Sequence, residues 1–113
     1  MPQYAVIIYE RVPVPELPPE IMEAHGALPD RIAEAGGRVI AGLAVGPGST
    51  ATAIRDELIT DGPFVETKEE MGGLFIIEAR DLDHAISLAK MTPIAEGGVD
   101  VRPLTGFEVL EDG

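Results

Sequence analysis

Two short segments constrain the fold of this chain more than any other feature. Residues 5–9 (AVIIY) and 74–77 (LFII) are apolar at every position, whereas a strand with one solvated face alternates apolar and polar side chains. Two helices can cover only one face of a sheet built from such strands. The other face would expose an apolar patch that a soluble monomer rarely tolerates, and a second copy of the same sheet is its simplest cover. The sequence therefore predicts a homodimer through the sheet face.

The remaining segments complete a chain of the α+β class, with one domain over residues 1–113. Helices are predicted from Pro19 to the glycine pair at 36–37 and over residues 82–91. Strands are predicted over residues 3–9, 38–45, 50–57, 72–79 and 99–104, with extensions over 58–60 and 107–110. We interpret this order as a ferredoxin-like β-α-β-β-α-β arrangement with a long loop before the fourth strand. Such a sheet is antiparallel and carries both helices on one face.

The first helix carries a proline inside its apolar stripe. Apolar positions recur at helical spacing from Ile21 through Leu28 to Ile32, and His25 lies on the same stripe. Pro29 lacks the amide that would bond to the carbonyl of His25, which costs about 3 kcal/mol in a regular helix. We therefore expect a kink or a split in the helix close to Pro29.

The charge balance excludes several classes of partner. Eight Lys and Arg face 20 Asp and Glu, for a formal net charge of −12, so the chain should repel phosphate backbones and anionic lipids. No direct nucleic-acid or membrane binding is expected. The chain has no cysteine, which excludes disulfides and thiolate chemistry. The longest apolar stretch, residues 39–45, is far shorter than a membrane span, and no signal peptide is recognised, so the predicted location is cytoplasmic.

The two histidines differ in their predicted surroundings. His84 shares the polar side of the second helix with Asp83 and Lys90, and we expect it to face water. His25 lies on the apolar stripe of the first helix. It is either a partly buried histidine that donates to a backbone carbonyl, or a general base or acid that lines a cavity, since a free imidazole titrates near neutral pH.

The segment Asp61-Gly62-Pro63-Phe64 is the second candidate for a site. Its residue types are those of a turn, yet such a turn can also direct a carboxylate into a cleft, with Pro63 and Phe64 beside the ligand. Downstream, Glu66, Glu69 and Glu70 form an acidic patch. Oxygen ligands of this kind can hold Mg²⁺ or Ca²⁺, but without EF-hand spacing a solvated loop is the favoured interpretation.

Two arginines and one tyrosine complete the set of candidate ligand contacts. Arg55 and Arg102 lie inside otherwise apolar segments, where each could bind a substrate carboxylate. Each could instead pair with Glu78 or Glu108 on a neighbouring strand, and this structural use is favoured. Tyr9 and Glu10 end the first strand and could present polar groups at the sheet edge, near the start of the first helix. No phosphate-binding loop, nucleophile elbow or zinc spacing occurs, so no cofactor and no metal are predicted.

A resemblance to a known family rests on several of these segments. Residues 60–89 (TDGPFVETKEEMGGLFIIEARDLDHAISLA) resemble the signature of the YCII-related family, specifically its DGPF-domain branch. The opening YAVIIYE, the AGGRVIAG that enters the second strand and the closing Val101-Arg102-Pro103 are similar to the same branch. The resemblance implies a dimeric α+β barrel, in which two ferredoxin-like sheets pair face to face.

The resemblance also implies two functional hypotheses. Relatives in the broader group carry a His-Asp pair proposed for acid-base catalysis, and one of them is a dehalogenating enzyme that acts on a lactone. His25 falls where that group places its histidine, and Asp61 matches the Asp of the DGPF motif. Some DGPF proteins are encoded beside, or fused to, extracytoplasmic-function sigma factors, which implies a sigma-factor partner.

The sequence thus leaves two hypotheses of function open. In the leading one, the chain is a small-molecule-binding protein or a cofactor-independent enzyme acting on a small anionic or lactone-like substrate. His25 would move a proton, Asp61 would orient it, and Arg55 or Arg102 would hold the anion. In the alternative, the chain is a non-enzymatic interaction module linked to a sigma factor, and its acidic surface docks a basic partner.

Overall fold

A computed structural model describes residues 1–63 and 69–110 of the chain. Its helices are α1 (Pro19–Glu34) and α2 (Leu82–Ala89). Its strands are β1 (Gln3–Glu10), β2 (Arg38–Ala44), β3 (Thr52–Arg55), β4 (Leu58–Asp61), β5 (Glu70–Glu78) and β6 (Gly97–Pro103). Four strands form one sheet in the order β2-β5-β1-β6, and every pairing in it is antiparallel. This order confirms the α+β class and the ferredoxin-like arrangement.

The core lies between the sheet and the two helices. Leu28 and Ile32 of α1 and Leu88 of α2 are buried against alternate positions of the central strands. The side chains that the sheet contributes to this core are Tyr4, Val6, Ile8, Phe75, Ile77, Val39, Val99 and Val101. Because side chains alternate between the faces of a strand, the intervening residues of β1 and β5 project from the other side of the sheet.

The face without helices is apolar at its centre and charged at its borders. Ile7 is opposite Leu74 of β5, and Ala5 is opposite Ile76. At one border Arg38 forms an ion pair with Glu78, with 2.9 Å between Arg38 Nε and Glu78 Oε1. At the other border, on β6, Arg102 and Asp100 lie 3.7 Å apart. Arg38 and not Arg55 or Arg102 is therefore the partner of Glu78.

The third predicted strand is in fact a hairpin. β3 and β4 pair with each other as a separate two-stranded sheet, with Ile54 opposite Ile59. The chain reverses at Asp56, whose φ of 53° is left-handed, a conformation that Asp adopts more readily than most residues. The predicted continuation of one strand past a bulge is thus wrong. The hairpin is highly exposed, with Ile54, Leu58 and Ile59 each at least 63% accessible.

Other details of the helices and strands also differ from the prediction. α1 continues through Pro29 without a split, because the missing amide removes one hydrogen bond while the neighbouring bonds hold the helix; the alternative, a kink at this position, stays a prediction. β5 begins at Glu70, inside the segment predicted as a loop, because pairing with β1 extends the strand to Glu10. Residues 107–110 form no strand. Among the described residues, neither helix has the length and apolar character needed to cross a membrane.

Candidate functional site

A cavity of about 330 Å³ lies between α1 and the end of the sheet where β1 stops and β5 starts. Its walls come from α1, from the strand ends and from the segment that joins β1 to α1. Most of the lining is apolar, including Ile8, Val14, Leu17, Met22, Leu28 and Phe75. A volume of this size with a few polar groups in an apolar lining is typical of small-molecule sites.

His25 is the imidazole in this lining. It is half-buried on α1, one turn before Leu28, whose side chain reaches the core. The apolar stripe that runs along this helix explains the position, because it turns residues 21, 25, 28 and 32 towards the sheet. His25 thus lies beside a cavity, as the second of its two interpretations requires, while a role in proton transfer stays a prediction.

Glu10 is a buried carboxylate in the same lining, only 7% exposed. Its Oε2 accepts a hydrogen bond from the amide of Ala95 at 2.7 Å, and its Oε1 accepts one from the amide of Glu96 at 2.8 Å. A buried charge requires such donors. Glu10 thereby fixes the loop before β6 to the end of β1, and it brings a negative charge to the cavity.

Glu70 is the second carboxylate of the lining, directly opposite Glu10 in the pairing of β1 with β5. The register shifts between Ile8 and Tyr9, so that Ile8 pairs with Gly73 while Tyr9 pairs with Met71. This bulge adds one residue to β5 and thereby reverses which side chains face the helices. Without it, Glu70 would project from the opposite side of the sheet.

Gly48 holds the Glu70 carboxylate in place. The amide of Gly48 donates to Glu70 Oε2 at 2.8 Å, and a Cβ at position 48 would overlap the carboxylate. The absence of a side chain is therefore what permits this contact. The other oxygen, Glu70 Oε1, accepts no hydrogen bond from the described residues.

The structure separates the predicted pair of His25 and Asp61. Asp61 is exposed at the end of β4 and is not among the residues that line the cavity of His25. Tyr9 and Pro63 line an adjoining depression at the base of the hairpin, together with Glu70. Phe64 lies outside the described residues. Of the predicted site residues that the structure describes, His25 is therefore the one that reaches the apolar cavity.

The two candidate arginines also lie outside the cavity. Arg102 is exposed on β6, where its partner is Asp100, and Arg55 is exposed on the hairpin. The described lining contains no arginine and no lysine. Arg55 and Arg102 thus remain predicted anion contacts that the fold does not bring to His25.

His84 is buried, not exposed as the polar pattern of α2 predicted. Only 7% of it is accessible, and its Nδ1 accepts a hydrogen bond from the amide of Arg80 at 3.0 Å. The proton therefore lies on Nε2, which donates to the carbonyl oxygen of Ala35 at 2.8 Å. Asp81 caps the same turn by accepting from the amide of His84. His84 is a structural link between the end of α1 and the start of α2.

Glu10 and Glu70 are the polar residues of the cavity that sequence reasoning did not place beside His25. The sequence shows Glu10 directly after an apolar strand and Glu70 just before another, which is a signal for the rim of a sheet. Their shared position depends on the bulge in β5, and no local pattern specifies that register. Together with His25 they give the cavity one imidazole and two carboxylates, a set that can bind a polar group and exchange a proton with it.

One comparison with known proteins identifies a family, and none of the comparisons below describes a reaction or a ligand. The model of a family described as the YCII-related domain matches residues 2–108. An uncharacterized protein of Rhizobium meliloti (strain 1021) is 33% identical to the chain over 69 residues. That similarity covers 55% of this chain, and the chain spans only 56% of the relative's length.

Proposed function

The chain belongs to the YCII-related family, and from that premise we propose that it binds a small, mainly apolar molecule in the cavity beside His25. The observation that carries the proposal is the cavity of about 330 Å³ itself, which combines an apolar lining with a half-buried imidazole. Burial of apolar ligand surface supplies affinity, and the imidazole supplies a directed polar contact.

In this proposal His25 also transfers a proton to or from the bound molecule. An imidazole suits that role because it exchanges a proton near neutral pH. Of the substrate classes suggested by the sequence, a lactone-like molecule suits this lining better than an anion. The reason is that Glu10 and Glu70 would repel an anion, and no described lining residue is an arginine or lysine.

A screen of small molecules by thermal shift tests the binding step. A ligand that binds only the folded state raises its stability by RT ln(1 + [L]/Kd), about 2.7 kcal/mol at a hundredfold excess over Kd. Val14→Trp would fill the cavity, because Val14 is half-buried in its lining. Val109→Trp is the matched control, since Val109 is 73% exposed and does not line the cavity.

We expect compounds that stabilise the wild type to lose their effect with Val14→Trp and to keep it with Val109→Trp. His25→Ala should weaken the same compounds. Compounds that stabilise wild type and Val14→Trp equally would place binding elsewhere. The absence of any stabilising compound in a broad library would overturn the proposed function.

We also propose that two copies of the chain pair through the face of the sheet that carries no helix. Support comes from Ile7 and Leu74, which are opposite each other and half-buried at the apolar centre of that face, while the ion pairs of Arg38 and Arg102 lie at its borders. A charged side chain at the centre of that face should separate the copies. Ile7→Lys introduces such a charge opposite Asp100. The opposite charge of Asp100 limits the loss of stability of the single chain.

Sedimentation measures the outcome. The wild type should sediment with twice the mass of the 12.0 kDa chain, and Ile7→Lys should sediment as a folded single chain. Ile86→Lys is the control, because Ile86 is 37% exposed on α2, away from this face. A wild type that sediments as a single chain at micromolar concentration would contradict the pairing.

A further inference from the structure

We infer that the molecule bound beside His25 carries a positively charged amino group on an apolar skeleton. This inference rests on the proposed function and adds the chemical class of the ligand. It follows from the charges of the lining: two carboxylates, Glu10 and Glu70, reach the cavity, and no described lining residue is an arginine or lysine.

The two carboxylates form an unusual pair for a sheet. They are direct partners across β1 and β5, and like charges in that position destabilise a strand pairing. Each is retained by backbone amides, which donate to Glu10 from Ala95 and Glu96 and to Glu70 from Gly48. A cation placed between the strand ends would offset the repulsion between these two carboxylates.

Within the described residues, the one carboxylate oxygen of the pair without a hydrogen-bond donor is on Glu70. Both oxygens of Glu10 already accept an amide, whereas Glu70 Oε1 has no donor among the described residues. An ammonium group has three donors, and hydrogen bonds between charged groups are the stronger kind. Glu70 is therefore the principal contact of the amino group, and Glu10 adds its field.

The apolar part of the lining indicates what the rest of the ligand is. Met22, Leu28 and Phe75 offer apolar surface on the side of α1 and the sheet, where an aliphatic or aromatic group loses its contact with water. A small aromatic amine fits both the charged end of the cavity at Glu70 and its apolar side along α1. Its amino group reaches the strand ends while its ring lies against α1.

Three probes with one ring and different charges test this inference: benzylamine, benzyl alcohol and benzoate. Their dissociation constants are measured by calorimetry on the wild type, Glu70→Gln and Glu57→Gln. Glu70→Gln keeps an oxygen that can accept from Gly48 and removes the charge. Glu57→Gln removes one charge from the exposed hairpin and is the matched control for net charge.

We expect benzylamine to bind at least about tenfold more tightly than benzyl alcohol, and benzoate to bind most weakly. Glu70→Gln should weaken benzylamine by about tenfold and leave benzyl alcohol unchanged, while Glu57→Gln should alter neither. Added salt should weaken benzylamine alone.

Other outcomes overturn the inference in distinguishable ways. Equal or tighter binding of benzyl alcohol or benzoate would refute the amine class and leave the cavity as a ligand site. If Mg²⁺ binds and benzylamine does not, and Glu70→Gln abolishes the binding of Mg²⁺, the ligand is a metal ion and the inference of an amine is refuted. Failure of all three probes would refute the amine class, and the library screen with Val14→Trp would then decide separately whether the cavity binds anything.

Discussion

The two histidines lie in regions of the molecule that are built in opposite ways. Around His84, at the junction of α1 and α2, each ring nitrogen has a backbone partner and the side chain is 7% exposed. Around His25 the side chain is half-buried beside an open volume. A satisfied and buried imidazole stabilises a fold, whereas an imidazole that faces a cavity is available to a ligand. Burial of a histidine therefore does not by itself indicate a role in ligand binding.

Mutation of His84, at the junction of α1 and α2, should lower the stability of the fold far more than mutation of His25 in the cavity lining. We expect His84→Ala to lower the free energy of unfolding by about 2–4 kcal/mol, because it removes two hydrogen bonds and leaves a void. Urea unfolding of His84→Ala and His25→Ala measures the contrast, and His25→Ala should lose less than about 1 kcal/mol. Equal losses for the two variants would remove the distinction between the regions.

Glu10 tests the comparison further. It lines the cavity, as His25 does, but both of its side-chain oxygens have backbone partners, as the ring nitrogens of His84 do. Glu10→Gln keeps the size of the side chain but places an amide donor against the amide of Ala95 or Glu96. We expect a loss of about 1–3 kcal/mol in the free energy of unfolding. Glu34→Gln, at an exposed position of α1, is the control and should change stability by less than about 0.5 kcal/mol. A neutral Glu10→Gln would show that the two amide bonds contribute little.

Asp81 tests the junction through its helix cap. Its side chain accepts from the amide of His84 at 2.8 Å, and loss of such a cap typically costs about 1 kcal/mol. Asp81→Ala should lose that amount in urea unfolding, and Asp81→Asn should recover most of it. If Asp81→Asn is as unstable as Asp81→Ala, the charge at the helix start and not the hydrogen bond is responsible.

The smallest effect is expected at Asp61. Because Asp61 is exposed on the hairpin and outside the lining of the cavity, Asp61→Asn should change stability by less than about 0.5 kcal/mol. It should also leave the affinity of a cavity ligand unchanged. A tenfold loss of that affinity would return Asp61 to the site and would revive the His-Asp pair that the family resemblance implies.

The comparison also explains what the sequence could predict. The apolar runs at 5–9 and 74–77 identify the central strands because buried pairing requires apolar side chains on successive positions. The spacing of Ile21, Leu28 and Ile32 places His25 correctly, since α1 is long enough for one stripe to face the sheet. These features depend on residues close together in the chain.

The errors concern features that depend on distant residues. The first turn of α2 lies against the end of α1, where His84 bonds to Ala35, and a polar position of α2 thereby becomes a buried one. The partner of His84 Nε2 is Ala35, 49 residues away, and a helix-end carbonyl needs such a donor. The bulge that directs Glu70 to the cavity likewise follows from the pairing of β5 with β1, which a single-strand pattern does not specify.

The most direct test of the account is the response of the two imidazoles to a cavity ligand, observed by nuclear magnetic resonance of the histidine rings. The tightest-binding compound of the screen is titrated into the wild type at constant pH, with Val14→Trp as the blocked control. The account predicts that the His25 ring signals shift in a saturable manner, that those of His84 do not, and that Val14→Trp abolishes the shift. A shift of His84 with an unchanged His25, or unchanged signals of both rings at saturating ligand, would contradict it.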